Sequence, residues 1–313
     1  MSIRVLKAGL STTVQDGGRF GYAHLGISPC GAADLVSMQI ANRLVGNDDY
    51  APALEMTLMG ATLEFESACL IAITGTSCEC TIAGKQVSVY TALQVAAGAV
   101  LHCGSTTNGA RTYLAVRGGI GVPLVMGSAS TDVRGNFGGV EGRRLKTGDV
   151  LELDGGAAWE PRRLMQGARE TLRADGPIRV TRGAQHDWFS PAEYGKFLTS
   201  PYVVSEQSDR AGLRLKGEAV QTLERRQLLT DGIPLGAVQV PQDGQPIILF
   251  VDQQTTGGYP KIANVIAADM HRIGQLRPRD QVHFAETSIP EAIEALREQE
   301  RWLSEIWQES GDE

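Results

Sequence analysis

Runs of four or five apolar or β-branched residues, each closed off by glycine, serine or threonine, recur through the first part of this chain. They lie at 63–66, 70–74, 79–82, 86–90 and 112–116. Runs this short suit strands rather than helices. So many strands need many turns, and the 37 glycines among 313 residues supply them. The glycines follow no period of three, which excludes a collagen-like chain. Ala83-Gly84-Lys85 sits between two runs and predicts a hairpin turn. The expected fold is mainly β.

Helices are few but well marked. Asp34 can cap a helix running to about Val45, with Leu35, Met38, Ala41, Leu44 and Val45 inward and Gly46 as the stop. Ser190-Pro191-Ala192-Glu193 predicts a capping box with proline at the first helical position. Ser288-Ile289-Pro290-Glu291 repeats it and opens a C-terminal helix with Ile293, Leu296, Leu303 and Ile306 on one stripe. Residues 156–177 are rich in Arg, Ala and Gly and predict a linker. It would join an N-terminal domain, 1–155, to a C-terminal one, 178–313. A faint echo supports the division. Ile3-Arg4-Val5 recurs as Ile178-Arg179-Val180, and the strand around Leu145–Leu151 recurs around Leu276–Val282.

Charge and cysteine usage narrow the function classes. A net charge of -7 argues against nucleic acid as a partner. No apolar run approaches the ~18 residues of a membrane span, so no membrane association is expected. Met1-Ser2-Ile3-Arg4-Val5 has no signal-peptide core. Five cysteines, an odd number without a secretion signal, predict reduced thiols in a cytoplasm.

Several familiar chemistries are missing from the sequence. There is no P-loop motif. Gly119-Ile120-Gly121 lacks the third glycine of a dinucleotide fingerprint. Cys78 and Cys80 are too close for an ordinary zinc clamp and are expected to be two small buried residues, so no metal site is predicted. No lysine has the flanking methionines usual for biotin attachment, so covalently bound biotin is not expected on this chain.

Four polar stretches ask for a role. Thr12-Thr13-Val14-Gln15-Asp16-Gly17-Gly18-Arg19 can bring backbone N–H groups and Arg19 to an anion, or can be a turn in which Asp16 bonds nearby amides. Ser28–Asp34 leads into a helix N-terminus, where Asp34 can simply cap. Gly127–Gly135 carries Ser128, Ser130, Thr131, Asp132 and Arg134, a combination suited to a phosphate or carboxylate, or to a solvated loop. Gln239 and Gln253-Gln254-Thr255-Thr256-Gly257-Gly258-Tyr259-Pro260 hold more amides and hydroxyls than a bend requires. They are expected to orient a small polar substrate.

The order of these stretches resembles the biotin-dependent carboxyltransferase-like, allophanate hydrolase subunit 2 family. The resemblance runs through Thr12–Gly21, Cys30–Asp34, Ala41–Asn47, Leu54–Thr57, Tyr113–Ile120, Gly127–Asp132, Val238–Pro241 and Thr255–Pro260, nearly the whole chain. Within the family it is most similar to the group formed by the C subunits of 5-oxoprolinase, or KipI antagonists. Cys30 stands where many members have serine, and Arg210-Ala211-Gly212-Leu213-Arg214 departs from the usual run.

The resemblance implies two tandem cyclophilin-like β-barrel domains. It implies a partnered enzyme, in which this chain joins a KipI-like B subunit and an A subunit to cleave 5-oxo-L-proline to L-glutamate at the expense of ATP. Mg·ATP would be shared with the partners. Gln239, Thr255 and Thr256 would orient the amide or carboxylate, with Thr13 and Gln15 also binding substrate. Asp16 and Asp132 would be proton-handling or positioning groups. Arg19 and Arg134 would offset negative charge, and Gly257, Gly258 and Tyr259 would shape the pocket wall. Two alternatives stay open. One is the carboxyltransferase part of a urea-carboxylase-like enzyme; the other is a non-catalytic regulator that binds a kinase inhibitor.

Overall fold

In a computed structural model of the chain, residues 1–156, 162–165, 167–168, 176–223 and 228–308 are described. The expected linker falls largely outside them. Its described part includes a short strand, Arg163–Leu164, paired with Trp307–Gln308. The chain is mainly β, with a few helices and a long C-terminal one, Ile289–Glu305. It divides into two compact units. The first comprises Met1–Arg19, Cys30–Arg169 and Leu303–Glu313, and the second Phe20–Pro29 and Glu170–Trp302. Among the described residues no helix is long and apolar enough to cross a membrane.

The first unit holds a seven-stranded and a five-stranded sheet. In the larger sheet, Ser2–Lys7 pairs antiparallel with both Val150–Leu153 and Thr62–Phe65. Burial alternates along these strands, so one face meets the core and the other meets solvent. The hairpin at Ala83-Gly84 has both turn residues at positive φ, +49° and +77°, which matches the twist of the strands it joins.

The five-stranded sheet runs Ser11–Gln15, Ala53–Thr57, Arg111–Val116, Cys69–Gly75, Ala92–Val95. Cys69–Gly75 and Arg111–Val116 are buried at every position, because the helix Leu35–Leu44 packs on them. That helix is buried nearly all round, a wider face than the stripe its sequence predicts; Val36, Gln39, Ile40 and Asn42 are inside too. Asp34 caps it, accepting from Ser37 N at 2.9 Å and Ser37 Oγ at 2.6 Å.

The second unit is built on an eight-stranded sheet. Its two ends do not repeat the pairing of the first unit. Ile178–Arg182 pairs parallel with Phe284–Glu286, whereas Gln281–Val282 pairs with Tyr202–Val204. The sequence echo therefore marks order along the chain and not a shared strand register. Phe197 stacks on Phe284 with centroids 4.5 Å apart, and Tyr202 tilts against both rings.

The two predicted capping boxes differ. Ser288 and Glu291 bond reciprocally, Glu291 N to Ser288 Oγ and Ser288 N to Glu291 Oε2 at 2.8 Å. Ser190 Oγ accepts from Glu193 N, but the Glu193 carboxylate turns away to Gln221 N and Lys196. The C-terminal stripe is also displaced. Ala295 is buried, packed with Ala292 and Leu296 on Ile266 and Ala268, while Ile293 points outward. Leu303 and Ile306 are buried as expected.

Replacing Asp34 with alanine should lower stability by about 1–2 kcal/mol, the usual cost of a lost side-chain cap. The change should appear as a lower urea midpoint at unchanged slope. An unchanged midpoint would remove this cap from the account of the helix.

Candidate functional site

In the first unit the polar segment Thr12–Asp16 is buried throughout. The strand Ser11–Gln15 is an edge of its sheet, and an uncovered edge would leave backbone groups unpaired. The loop 128–131 covers it. Thr131 N and Oγ1 both donate to Val14 O, and Leu145 N donates to Thr12 O.

Asp16 ties that loop down. Oδ1 accepts from Gly18 N at 2.8 Å, Ser128 Oγ at 2.6 Å and Ser130 Oγ at 2.5 Å, and Oδ2 accepts from Ala129 N at 2.6 Å. Four donors on one carboxylate make it a brace for the loop 128–131. Asp132 accepts from Arg134 N and Gly135 N within its own turn, and Arg134 is exposed on that turn. Asp132 and Arg134 are thus neighbours in sequence whose side chains serve the local turn and the surface.

Arg19 is 2 % exposed. Its Nη2 donates to Ser130 O, its Nε to Val125 O at 3.4 Å, and its guanidinium carbon lies 4.8 Å from the centre of the Phe137 ring. Gly138 has φ +71°, and a Cβ there would collide with Ser130 O and stand 2.8 Å from Arg19 Nη2, so only glycine fits. Among the described residues no carboxylate pairs with Arg19, and its buried Nη1 has no hydrogen-bond partner. Gln15 Nε2 donates to Thr13 Oγ1 and Thr131 O, while its buried Oε1 is likewise unpartnered. Thr13, Gln15, Asp16 and Arg19 therefore share one buried neighbourhood, which offers an open cationic donor and an open amide acceptor. A groove of about 590 Å³ adjoins it, with Val125 and Phe137 in its lining.

Beside Thr13 lies a buried cluster whose other members, Glu55, Tyr113 and Thr74, have no site role in the sequence pattern described above. Thr13, Glu55, Tyr113 and Thr74 stand directly opposite one another across four strands. Glu55, 1 % exposed, accepts from Tyr113 OH at 2.7 Å and Ala33 N at 2.8 Å, with Arg111 Nε at 3.5 Å. Burial, then the Glu55 and Asp34 charges, push the Tyr113 phenol well above its ordinary range. The signal in the sequence is the charged Glu55 inside the apolar run Leu54–Met56.

The second unit gathers the other candidates. The strand Lys261–Val265 carries one extra residue, Ile262, between the partners of Val238 and Gln239, and this bulge sets Gln239 opposite Lys261. Bulges re-aim side chains next to functional sites. Gln239 Nε2 reaches Tyr259 O at 3.4 Å. Thr256–Gly257 forms a two-stranded ribbon with Asp231–Gly232. A Cβ at Gly257 would lie 2.7 Å from Ile233 Cδ1 and 3.1 Å from Gln239 Nε2, so the glycine lets this backbone close over the amide. Thr256, Gly258 and Tyr259 are exposed and Thr255 is half-buried. Buried Gln253 donates to Ile233 O and keeps an unpartnered Oε1. Arg210 grips Asp252 through two bonds, at 2.8 and 3.0 Å, and so holds the start of this loop.

A thiol cluster lies apart from these loops in the first unit. Cys78 Sγ is 2.8 Å from Cys80 Sγ, which is 3.8 Å from Cys103 Sγ. Cys80 and Cys103 are fully buried as expected for small apolar residues, but Cys78 is only partly so. Thiolates sharing a tetrahedral zinc through ~2.3 Å bonds stand about 3.7 Å apart. The Cys78–Cys80 contact is closer than that, and among the described residues no group is arranged to hold a metal. Bonds from Cys103 and Cys80 hold the Cys78 thiol well below its ordinary range. Burial pushes Cys69 up to about 11.

Two expectations follow. Replacing Asp16 with alanine should cost about 3–5 kcal/mol, because buried donors lose a charged acceptor; an unshifted Tm would contradict the brace. At pH ~5.5, where an ordinary thiol is almost fully protonated, Cys78 should still be alkylated by iodoacetamide while Cys69 is spared. Peptide mass mapping reads both, and equal labelling would rule out a thiolate at Cys78.

Comparison with known proteins places this geometry. Residues 25–286 match the family described as carboxyltransferase domain, subdomain A and B. The chain is 43 % identical over 304 residues to the C subunit of 5-oxoprolinase from Escherichia coli strain K12, covering 97 % of each chain. The corresponding 5-oxoprolinase C subunit of Haemophilus influenzae is 36 % identical over 312 residues, again covering 97 % of each. Among solved structures, K. lactis urea amidolyase superposes with a TM-score of 0.91 at 33 % identity, over 100 % of this chain and 20 % of that one. With a fold, a residue range and end-to-end relatives in agreement, the chain belongs to the carboxyltransferase domain, subdomain A and B family.

Proposed function

We propose that the chain acts as the C subunit of an ATP-dependent 5-oxoprolinase complex, which opens 5-oxo-L-proline to L-glutamate. The observation that carries this reading is the 43 % identity to the E. coli protein over 97 % of both chains. The chemistry needs such a partnered site. A five-membered lactam is a poor electrophile, and transfer of a phosphoryl group from ATP to its carbonyl oxygen creates a leaving group. The groups required must bind a carboxylate, orient an amide and offset phosphoryl charge.

The residues fit these tasks. In the second unit, Gln239, Thr255 and Thr256 would orient the lactam or its carboxylate, beside a wall of Gly257, Gly258 and Tyr259. In the first unit, the open Nη1 of Arg19 suits an oxyanion, and the open Oε1 of Gln15 suits an N–H donor. Thr13 steadies Gln15, and Asp16 positions the loop. Asp132 would position groups from its turn, and the exposed Arg134 on that turn would offset negative charge. Mg·ATP is the co-substrate of the complex, shared with a KipI-like B subunit and the A subunit in a cytoplasmic assembly.

A second reading is favoured by the K. lactis superposition: transfer of a carboxyl group from a biotin carried by another chain. Avidin separates the two. Complexes captured on this chain should form glutamate and ADP together from 5-oxo-L-proline and ATP, with no loss on adding avidin. Loss of activity with avidin, or no glutamate from a complex holding both partners, would overturn the oxoprolinase reading. Gln239→Ala and Thr256→Ala should each lower turnover by about ten- to hundredfold, the worth of one or two polar contacts to a reacting group. Capture of the partner proteins should be unchanged. Full turnover in both variants would remove these side chains from the site.

A further inference from the structure

We propose that Lys261 is an oxyanion-binding residue of the second unit, with Asp231 as a counter-ion that the ligand displaces. The inference rests on the substrate reading above only for which oxyanion arrives.

The argument begins with burial. The Lys261 side chain is 3 % exposed, and Asp231 is 53 % exposed. Removing an ammonium from water costs several kcal/mol, and a carboxylate facing solvent repays little of it. Lys261 Nζ donates to Asp231 Oδ2 at 2.9 Å, its one ion-pair partner among the described residues. An ammonium has three donors, so two have no acceptor among those residues. A pair serving stability alone would gain more from a buried carboxylate, and the neighbouring loop has one in Asp252, which Arg210 holds instead.

Position gives the cation its use. A bulge at Ile262 in the strand Lys261–Val265 sets Lys261 directly opposite Gln239, and directly opposed residues present their side chains on the same face of a sheet. The backbone on both sides of Lys261 is fixed. Its N–H donates to Gln185 Oε1 at 3.1 Å, and its carbonyl accepts from Gln185 N at 3.1 Å. Asp231 lies on the ribbon Asp231–Gly232 with Thr256–Gly257, the segment that carries the candidate substrate residues. Its other oxygen accepts, among the described residues, from Gly232 N of the same ribbon. An oxyanion reaching Gln239 therefore meets a buried ammonium whose present partner can return to water at small cost. The ligand class is a carboxylate or phosphoryl oxyanion on a small molecule.

Calorimetric titration of the full-length chain tests this, with 5-oxo-L-proline, inorganic phosphate and the uncharged lactam 2-pyrrolidinone as probes. Lys261→Met should weaken oxyanion binding by about ten- to hundredfold, the range for a charged hydrogen bond. Asp231→Asn should tighten it by about two- to fivefold, since a competing exposed partner has gone. Any binding of 2-pyrrolidinone should be unmoved by either change. Opposite effects from the two members of one ion pair would establish a ligand-binding role. Equal weakening in both variants would mark a structural pair and overturn the proposal, as would an unchanged Lys261→Met or a wild-type chain that binds no oxyanion. Phosphate following this pattern without 5-oxo-L-proline would uphold the Lys261 site and count against the oxoprolinase substrate. If circular dichroism shows that Lys261→Met fails to fold, Asp231→Asn decides alone: tighter binding supports the proposal, and unchanged or weaker binding rejects it.

Discussion

The Asp16 carboxylate organises the first unit's polar region. Its four donors come from two segments more than a hundred residues apart in sequence, Gly18 on one side and Ser128, Ala129 and Ser130 on the other. That one group closes the edge of the strand Ser11–Gln15 with a loop instead of another strand. The closure has a consequence for Arg19. Ser130 presents its hydroxyl to Asp16 and its carbonyl to the guanidinium. The carboxylate thus fixes the loop that fixes the arginine without pairing with the arginine itself.

An arginine buried without a carboxylate is costly, and three features reduce the cost. Carbonyl oxygens of Ser130 and Val125 take two of its nitrogens, and the face of Phe137 takes the plane of the charge. The third nitrogen, Nη1, is left over. Elsewhere in the same unit a buried arginine is treated differently: Arg111 has Glu55. The contrast matters because burial is similar and only the counter-ion differs. Arg111 has a carboxylate counter-ion even though its buried Nε makes no hydrogen bond, whereas Arg19 has an open Nη1 and no carboxylate among the described residues, and Gln15 at the end of the preceding strand has an open Oε1.

Much of the architecture was legible because it depends on local chemistry. The short strands, the Ala83-Gly84 hairpin, the Asp34 cap and the Ser288–Glu291 box all follow from residues within a few positions of each other. Three things were not legible. The turn of Glu193 toward Gln221 depends on a strand-end 28 residues away. The outward Ile293 depends on small alanines being preferred against Ile266 and Ala268. The parallel pairing of Ile178–Arg182 with Phe284–Glu286 is set by tertiary assembly, and no pattern in either strand distinguishes it from the antiparallel pair that its echo makes.

The candidate site divides in the same way. That Thr12–Arg19 and Gly127–Gly135 are rich in hydroxyls, carboxylates and arginines could be read directly, but which of them face inward could not. A turn with Asp132 and Arg134 and a buried knot with Asp16 and Arg19 have nearly the same composition. The difference lies in the strand edge beneath the knot, which must be covered, and the covering loop carries Ser128 and Ser130 with it. Lys261 carries no signal of burial in the sequence for a related reason. Following Gly-Gly-Tyr-Pro, it has the composition of an ordinary exposed lysine after a turn. A one-residue bulge at Ile262 in its own strand puts it opposite Gln239, and register of that kind is decided by strand pairing. Strand closure buries Asp16, Ser128 and Ser130 fully bonded, but it buries Gln15 and Arg19 with one polar atom each unpartnered, and Gln253 in the second unit shares that condition; such atoms incur a desolvation cost that a polar ligand would offset.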